Sequence, residues 1–346
     1  MALYLGILLF SFILTSIAVV PFINLLYKLH LTHHHPLPPT VSHEVKEFKA
    51  LNRIQEWKLG TPIGGGALLI VMTTISFILL YPALSQLGIA FTSAYSFKEE
   101  LNVLFFTFIS YGLVGLYDDI VKIFNLKSSG GRIRFWAGKK TILMFGLGLL
   151  IAAMMHINLN ISIINVPFVG VVNFGWWYVP LAGTLIGIFS KSFDITDGLD
   201  GLACGVLLIS LLAFWGISLN ALDTTISIFI ALLIGGLIAF LYFNVYPARV
   251  WLGNAGSLSF GATLCVIGLL LGKTFALLIV GFVFLVEGFS QLIQLISIKT
   301  TGKKIFSITP LHYWLLSLGW TEPKVVARLW LSTIVLAVIG LWFATL

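Results

Sequence analysis

The sequence predicts an all-α polytopic membrane protein with about ten transmembrane helices and a short β-hairpin on its outer side. Apolar residues make up 59% of the 346 residues and charged residues only 10%, and the mean hydropathy is +1.04. This composition excludes a soluble globule with a polar shell. Apolar stretches of the ~20 residues that a spanning helix needs recur from Met1 to Leu346 without a large polar insertion. We therefore expect one integral membrane domain covering 1–346.

Ten spans follow from the hydropathy pattern. The start of the chain lacks a basic region, and its apolar character continues to Tyr27, which is longer than the core of a signal peptide. The first span is therefore expected to remain as a helix. The predicted spans are 3–27, 64–81, 101–120, 140–156, 176–191, 200–218, 224–243, 257–272, 275–297 and 325–344.

The distribution of basic residues predicts the orientation. Lysine and arginine concentrate in the first, third and last long connecting regions, whereas the intervening loops contain only Lys98 and Lys273. By the positive-inside rule the basic loops are cytoplasmic and both termini lie outside. The net charge of +7 thus indicates orientation, and we expect no nucleic acid partner.

Two short segments have patterns of their own. Between 45 and 54, apolar residues recur every third position among lysines and an arginine, which is typical of a basic amphipathic helix on the lipid surface. Residues 157–163 alternate strictly between apolar and polar before Pro167 and Gly170, which predicts the outer strand or hairpin.

The cysteines and most histidines do not indicate a metal site. Cys204 and Cys265 lie singly in apolar runs, where packing is their expected role. The three histidines at 33–35 precede a proline-rich stretch that predicts a solvated loop. His156 is expected to be structural.

Aspartates carry the chemical signal. Five of the six lie in two short places at predicted cytoplasmic helix ends. Carboxylates beside apolar spans cost roughly 2.5–3.5 kcal/mol each unless they have partners or a function. We therefore interpret them as functional rather than as solvated loop charge. These residues are Asp118, Asp119, Asp194, Asp197 and Asp200.

The second aspartate group has a regular spacing. Lys191, Asp194, Asp197 and Asp200 recur every three residues, so a helix would align them along one stripe. Carboxylates that close repel unless a metal or a cationic group neutralises them. Oxygen ligands at a lipid boundary favour Mg²⁺, which binds a few carboxylates together with substrate phosphates.

Glycine-rich segments precede two of the predicted spans on the same side. They occupy 58–66 and 251–257. Glycine before a helix N-terminus exposes amides that favour anions, although close helix packing explains such glycines equally well.

These motifs resemble the polyprenyl-phosphate N-acetylhexosamine-1-phosphate transferase family. The similarity runs nearly end to end, and its carboxyl-terminal part follows the phospho-N-acetylmuramoyl-pentapeptide transferase subfamily. The matching segments are 58–66, 117–119, 196–203, 244–261, 301–306, 309–312 and 319–326.

The resemblance implies a function and a set of site residues. It implies a cytoplasmic active-site cleft in the bacterial inner membrane, Mg²⁺, a homodimer, and transfer of phospho-N-acetylmuramoyl-pentapeptide from UDP to undecaprenyl phosphate. Asp118 and Asp119 correspond to the pair that binds or activates the lipid phosphate. The substrate contacts implied for this chain are Lys58, Asp197, Asp200, Trp251 as a stacking surface, and His312. Glu287 also matches the family and is expected to be an internal polar partner.

Several positions depart from the family pattern. The family has a metal-binding aspartate at Asn254, asparagines at Lys191 and Asp194, and histidines at Tyr313 and Trp314. One carboxylate is thus lost and another gained. We expect Asp194 and Asn254 together to hold the metal if they face each other, with Lys191 pairing with Asp194 or holding a phosphate. The alternative is a catalytically silent or altered-specificity relative that binds lipid-linked precursor or partner proteins.

Overall fold

The computed structural model describes residues 1–32, 60–86, 88, 91–124 and 130–345, excepting the side chains of 130–138. This part of the chain is a helical bundle with one small sheet. The helices are α1 Ala2–Lys28, α2 Gly65–Gln86, α3 Phe97–Ile123, α4 Gly130–Leu159, α5 Tyr178–Thr196, α6 Leu202–Asn220, α7 Thr224–Asn244, α8 Gly253–Leu270, α9 Thr274–Val280, α10 Phe282–Thr301, α11 Leu311–Ser317 and α12 Glu322–Thr345. Strands β1 Ile163–Val166 and β2 Gly170–Asn173 lie between α4 and α5.

The predicted membrane class is confirmed. Within the described residues, nine helices are long and apolar enough to cross a bilayer. The predicted span 176–191 corresponds to α5, a 19-residue helix that is not among the nine. Lys191 and Asp194 lower its apolar character near its end. Because α5 packs against α4, α8 and α10, protein surrounds much of its surface and it needs less apolar character than a lipid-facing helix.

The ninth predicted span is divided. A continuous helix over 275–297 was the expectation, but α9 ends at Val280 and α10 begins at Phe282. Gly281 at the break lies against α5, where an added Cβ would be 2.4 Å from a ring carbon of Phe189. The missing side chain permits this close approach, which hydropathy alone does not reveal.

The hairpin is present but lies further along the chain than its pattern indicated. Residues 157–159, at the start of the alternating segment, belong to the end of α4. The strands pair antiparallel from Ile163 opposite Asn173 to Val166 opposite Gly170. Helix α4 therefore extends into the alternating segment. Adding residues to an existing helix is favourable because each one gains a backbone hydrogen bond.

Helix α8 lies at the centre of the bundle and brings the functional segments together. It packs against α2, α3 and α5, and most of its residues are buried. Glycines permit this packing: a Cβ on Gly66 would lie 2.1 Å from the backbone nitrogen of Gly256, and one on Gly115 would lie 2.0 Å from the oxygen of Asn254. Backbones this close fix the ends of α2, α3 and α8 relative to one another.

The bundle has two ends that we name by their contents. The carboxylate face holds the C-terminal end of α3 with Asp118, the end of α5 with Asp194, and the start of α8. The hairpin face holds β1, β2, the start of α3 and the start of α7. Successive long helices alternate in direction, so each crosses from one face to the other.

Candidate active site

Two aspartates from different helices meet at one lysine on the carboxylate face. Lys140 Nζ of α4 lies 2.9 Å from Asp118 Oδ2 and 3.5 Å from Asp194 Oδ2. All three side chains are largely buried. The attraction within such a bridge is screened much less than in a surface pair, and it offsets the desolvation of the buried charges. Lys140 therefore connects α3, α4 and α5 at the centre of the site.

Further cations and an amide surround this centre. Lys122 Nζ lies 3.1 Å from Asp118 Oδ2, and Lys191 Nζ lies 2.7 Å from Asp194 Oδ2. Asn254 donates its side-chain amide to Asp118 Oδ2, and Ser257 donates its hydroxyl to Asp194 Oδ1 at 3.2 Å. Lys122 and Lys191 retain 56% and 41% side-chain exposure, so both can reach a phosphate from solvent.

Asp119 has a different role from its neighbour. Its two carboxylate oxygens accept the backbone N–H groups of Asn254 at 2.9 Å and Ala255 at 3.0 Å. These are among the first amides of α8, which have no partner inside the helix, and a carboxylate there is also favoured by the helix dipole. Gly253 has a φ of +77° and approaches this carboxylate, so a side chain there would be strained and crowded. Asp119 thus fixes the position of Asn254.

The two glycine-rich segments pair with each other at the carboxylate face. The N–H groups of Gly64 and Gly65 donate to the oxygen of Trp251 at 3.2 and 3.0 Å, and Trp251 donates its own N–H to Pro62 at 2.9 Å. The amides of Gly64 and Gly65 are therefore used within the protein. This geometry supports the packing interpretation of these glycines over direct anion binding.

Asp200 connects three segments of the chain. Its carboxylate accepts the N–H of Ala248 at 2.9 Å and the indole N–H of Trp251 at 3.2 Å, while its own N–H donates to Glu322 at 2.8 Å. It is only 2% exposed. Asp200 therefore orients the Trp251 ring, which is half-buried.

His312 and Glu287 form a fully buried pair behind the second aspartate group. The imidazole Nδ1 lies 3.0 Å from Glu287 Oε2, which confirms Glu287 as an internal polar partner. The imidazole Nε2 has no hydrogen-bond partner within the described residues and lies beside Gly198, next to Asp197. Burial raises the pKa of the neighbouring Tyr313 hydroxyl, and nearby carboxylates add to the effect.

The predicted site residues divide into three groups. Asp118, Asp119, Asp194, Asn254 and Lys191 form one connected cluster through the contacts above. The residues Asp197, Asp200, Trp251 and His312 lie around the α5–α6 turn and its neighbours. Lys58, the histidines at 33–35 and the predicted helix over 45–54 lie outside the described residues.

Two central residues were missing from the predicted set. The sequence pattern indicates Lys122 and Lys140 only as basic residues that mark the predicted cytoplasmic side. Lys122 lies four residues after Asp118, so helical spacing alone indicates the pair. Lys140 gives no such signal, because its partners are 22 and 54 residues away.

The family resemblance implies Mg²⁺, and the donor set here fits it in reduced form. No three His, Cys, Asp or Glu side chains converge among the described residues. However, Asp118 and Asp194 converge on Lys140, and Asn254 donates its amide to Asp118. Lys122 and Lys191 contact the same two carboxylates from the solvent side. Two carboxylates and an amide oxygen suffice for Mg²⁺, which often uses one or two carboxylates together with substrate phosphates.

Fold and site together define a polytopic membrane protein whose carboxylate face is suited to phosphorylated substrates. The sequence profile described as Glycosyl transferase family 4 matches residues 101–272. The phospho-N-acetylmuramoyl-pentapeptide-transferase of Acetivibrio thermocellus is 35% identical over 290 residues, covering 82% of this chain and 81% of that protein. The enzymes of that name from Clostridium perfringens strain 13 and Bacillus pumilus are 32% and 33% identical. They cover 84% and 82% of this chain, and 85% and 84% of their own lengths.

This chain belongs to the phospho-N-acetylmuramoyl-pentapeptide-transferase family.

Proposed function

We propose that this chain transfers phospho-N-acetylmuramoyl-pentapeptide from its uridine diphosphate carrier to undecaprenyl phosphate and releases uridine monophosphate. The observation that carries the proposal is the convergence of Asp118, Asp194, Lys140 and Lys191 on one face of the bundle. Relatives that bear the name of this activity are 32–35% identical over most of the chain. The proposed catalytic unit is the single domain 1–346.

The reaction requires positioning and charge neutralisation more than covalent help from the protein. An oxygen of the lipid phosphate attacks the sugar-proximal phosphorus of the diphosphate. A new P–O bond forms as the bond to the bridging oxygen breaks, and uridine monophosphate leaves with the electron pair. Both reactants are anions, so fixed cations lower the barrier by offsetting their repulsion.

Residues of the connected cluster have different roles in this reaction. Lys122 and Lys191 are exposed enough to bind phosphate oxygens, while the buried Lys140 keeps Asp118 and Asp194 in place. Asp118 acts at the lipid phosphate, as the resemblance implies. Asp119 is a positioning residue, because both of its oxygens hold the start of α8.

The uridine is proposed to bind around the α5–α6 turn. Trp251, oriented by Asp200, supplies a stacking surface, and Asp197 supplies a hydrogen-bond acceptor. The buried Nε2 of His312, which has no hydrogen-bond partner among the described residues, lies beside Gly198 at the edge of this region. A substrate contact by Lys58 is implied only by the family resemblance.

The protein ligands of Mg²⁺ would be Asp194, Asn254 and Asp118. When bound, it would neutralise charge on the reacting phosphates. Lys140 or Lys191 must then give up part of its contact with Asp194. Since the residue at 254 is an amide, Asp194 would supply the anionic ligand that Asn254 does not.

An apolar groove near the site is suited to bind the hydrocarbon chain of the lipid acceptor. It has a volume of about 310 Å³, lies between α2 and α3, and ends at Ala255, whose N–H is bound to Asp119. Its walls include Val71 and Leu113, which are both more than half exposed. We propose that the first isoprene units lie in this groove, with the phosphate near Asp118.

Orientation and assembly complete the proposal. The carboxylate face is proposed to be cytoplasmic and both termini periplasmic, because lysines concentrate at that end of the described chain while Lys98 and Lys273 lie at the other. Labelling of single cysteines in intact cells tests this. The homodimer follows from the resemblance alone, and sedimentation of the detergent-solubilised chain tests it.

Purified protein in detergent, supplied with undecaprenyl phosphate, Mg²⁺ and radiolabelled UDP-N-acetylmuramoyl-pentapeptide, should form a lipid-extractable product. The variant Asp118→Asn should form none above background, and Glu99→Gln, a carboxylate on the hairpin face, should equal the wild type. Absence of product with this and related nucleotide sugars, while a relative is active beside it, would refute the proposal.

A further inference from the structure

A second pair of acidic residues lies at the hairpin face, away from the candidate active site. Glu100 is in the first turn of α3, and Asp223 is the residue before α7. Eighteen residues of α3 separate Glu100 from Asp118, which corresponds to roughly 27 Å at 1.5 Å per residue. Glu100 is completely buried and Asp223 is 5% exposed. The proposed reaction uses neither residue.

Asp223 is already part of a hydrogen-bonded loop. Its Oδ1 accepts the N–H of Ile226 at 2.9 Å and so caps α7, and its Oδ2 accepts the hydroxyl of Ser93 at 3.1 Å. Thr92 in the same loop bonds to Thr224 through both its backbone oxygen and its hydroxyl, each at 2.7 Å. The segment before α3 is thus attached to the start of α7, and Asp223 has a fixed position.

The contacts of Glu100 are looser. Among the described residues, neither of its carboxylate oxygens nor the buried hydroxyl of Thr225 makes a hydrogen bond of good geometry. Asp223, Ser93 and Thr225 all lie beside the carboxyl group of Glu100 and interact with it. Three buried oxygen atoms without a well-formed hydrogen bond among the described residues therefore lie beside the carboxylate of Asp223.

The described part of the chain supplies no paired cation to these carboxylates. Among the described residues no lysine, arginine or histidine forms an ion pair with Glu100 or Asp223. Lys98 is near in sequence, but it is exposed. Two uncompensated carboxylates in a buried position are costly. Burial accordingly raises the pKa of Asp223.

We propose that Glu100, Asp223, Ser93 and Thr225 form a binding site for one Ca²⁺-like divalent cation on the hairpin face. All of the donor atoms are oxygens, and two carboxylates match a charge of +2. Ca²⁺ accepts irregular sets of protein oxygens, whereas Mg²⁺ retains several waters in octahedral geometry. A completely buried Glu100 leaves little room for those waters. The cation would join the start of α3 to the start of α7.

The test measures Ca²⁺ binding directly. Wild-type protein in detergent is equilibrated with radioactive Ca²⁺ in excess Mg²⁺, which would fill the metal site proposed at the carboxylate face. We expect about one Ca²⁺ per chain with an affinity in the range of extracellular sites, ~10⁻⁴–10⁻³ M. Glu100→Gln and Asp223→Asn should lose this Ca²⁺, and the asparagine preserves the helix cap. Glu99→Gln, the neighbouring carboxylate that bonds to Asn158, should retain it.

A thermal measurement separates a cation from a proton. The melting temperature of the wild type should rise by a few degrees with millimolar Ca²⁺ relative to chelator, and that of Glu100→Gln should not respond. Absence of Ca²⁺ binding by the wild type, or equal binding by Glu100→Gln, would overturn the proposal. So would stabilisation by acid without any response to Ca²⁺, which would assign a shared proton to the pair. None of these results depends on transferase activity.

Discussion

Exchanging the carboxylate of Asp194 and the amide of Asn254 gives the sharpest test of the active site. In Asp194→Asn the site loses the carboxylate that contacts Lys191 at 2.7 Å and Lys140 at 3.5 Å. At an effective dielectric constant of about 20, charges 3.5 Å apart attract by about 5 kcal/mol, which is an upper limit for the Lys140 contact. Lys191 is 41% exposed, so its contact adds only about 0–1 kcal/mol.

The expected net effect is smaller than that limit. Lys140 keeps Asp118 as a partner, so it is not left as an isolated buried charge. Loss of a hydrogen bond to a charged group costs about 1.5–3 kcal/mol. Felt fully in the transition state, this corresponds to a fall of about 10- to 150-fold in transfer rate. Loss of the anionic metal ligand adds to it, so Mg²⁺-dependent transfer by Asp194→Asn should fall to background.

Asn254→Asp changes the site in the opposite direction. Its new carboxylate lies against Asp118, where Asn254 now donates a hydrogen bond. Two carboxylates in contact repel unless a cation lies between them. This variant should therefore be less stable than the wild type without Mg²⁺ and gain more stability from Mg²⁺, with a modest change in transfer.

The double exchange should restore Mg²⁺-dependent transfer, because it moves the anionic ligand from Asp194 to position 254. Transfer rates and melting temperatures of the four proteins, each measured across a Mg²⁺ titration, form a double-mutant cycle. Additive effects of the two changes would refute the idea that they serve one metal. Retention of Mg²⁺ binding and transfer by Asp194→Asn would refute the role given to that residue.

Three further changes test other parts of the structure. Asp118→Asn should lower transfer to background and reduce the melting temperature, because its two lysine partners lose their shared anion. Unchanged turnover would remove Asp118 from the mechanism. Gly115→Ala should sharply reduce the yield of monodisperse protein in size-exclusion chromatography, since its Cβ would lie 2.0 Å from a backbone oxygen of α8, whereas Gly146→Ala meets nothing within 4 Å and should match the wild type. Glu287→Gln should destabilise the fold by about 1–3 kcal/mol and change His312 nuclear magnetic resonance shifts; unchanged shifts would contradict the buried pair.

Much of the architecture follows from the sequence because the bilayer imposes strong rules. Every backbone polar group in lipid must be satisfied internally, so long apolar stretches become helices. The structure differs from the predicted spans where a helix faces other helices instead of lipid. Helix α5 carries Lys191 and Asp194 because other helices surround it, and Gly281 separates α9 from α10 because α5 approaches there.

The candidate site was predictable in its residue types and less so in its contacts. The clustering of Asp118 with Asp119, and of Asp194 with Asp197, is visible because these carboxylates adjoin apolar spans. Their partners are distant in sequence: Lys140 joins Asp118 to a residue 76 positions further on. Sequence spacing describes neighbours within one helix and carries no information on which helices adjoin.

Glu100 illustrates the same limit on the opposite face. In sequence it is a charged residue near the start of a helix, where the dipole favours it and solvent is the expected surrounding. In the structure it is completely buried beside Asp223. The sequence by itself determined the membrane class, the span pattern, the family and the chemical types at the site. Only the tertiary structure decided which charges face each other and which are buried, because helix packing brings together side chains that the chain order separates.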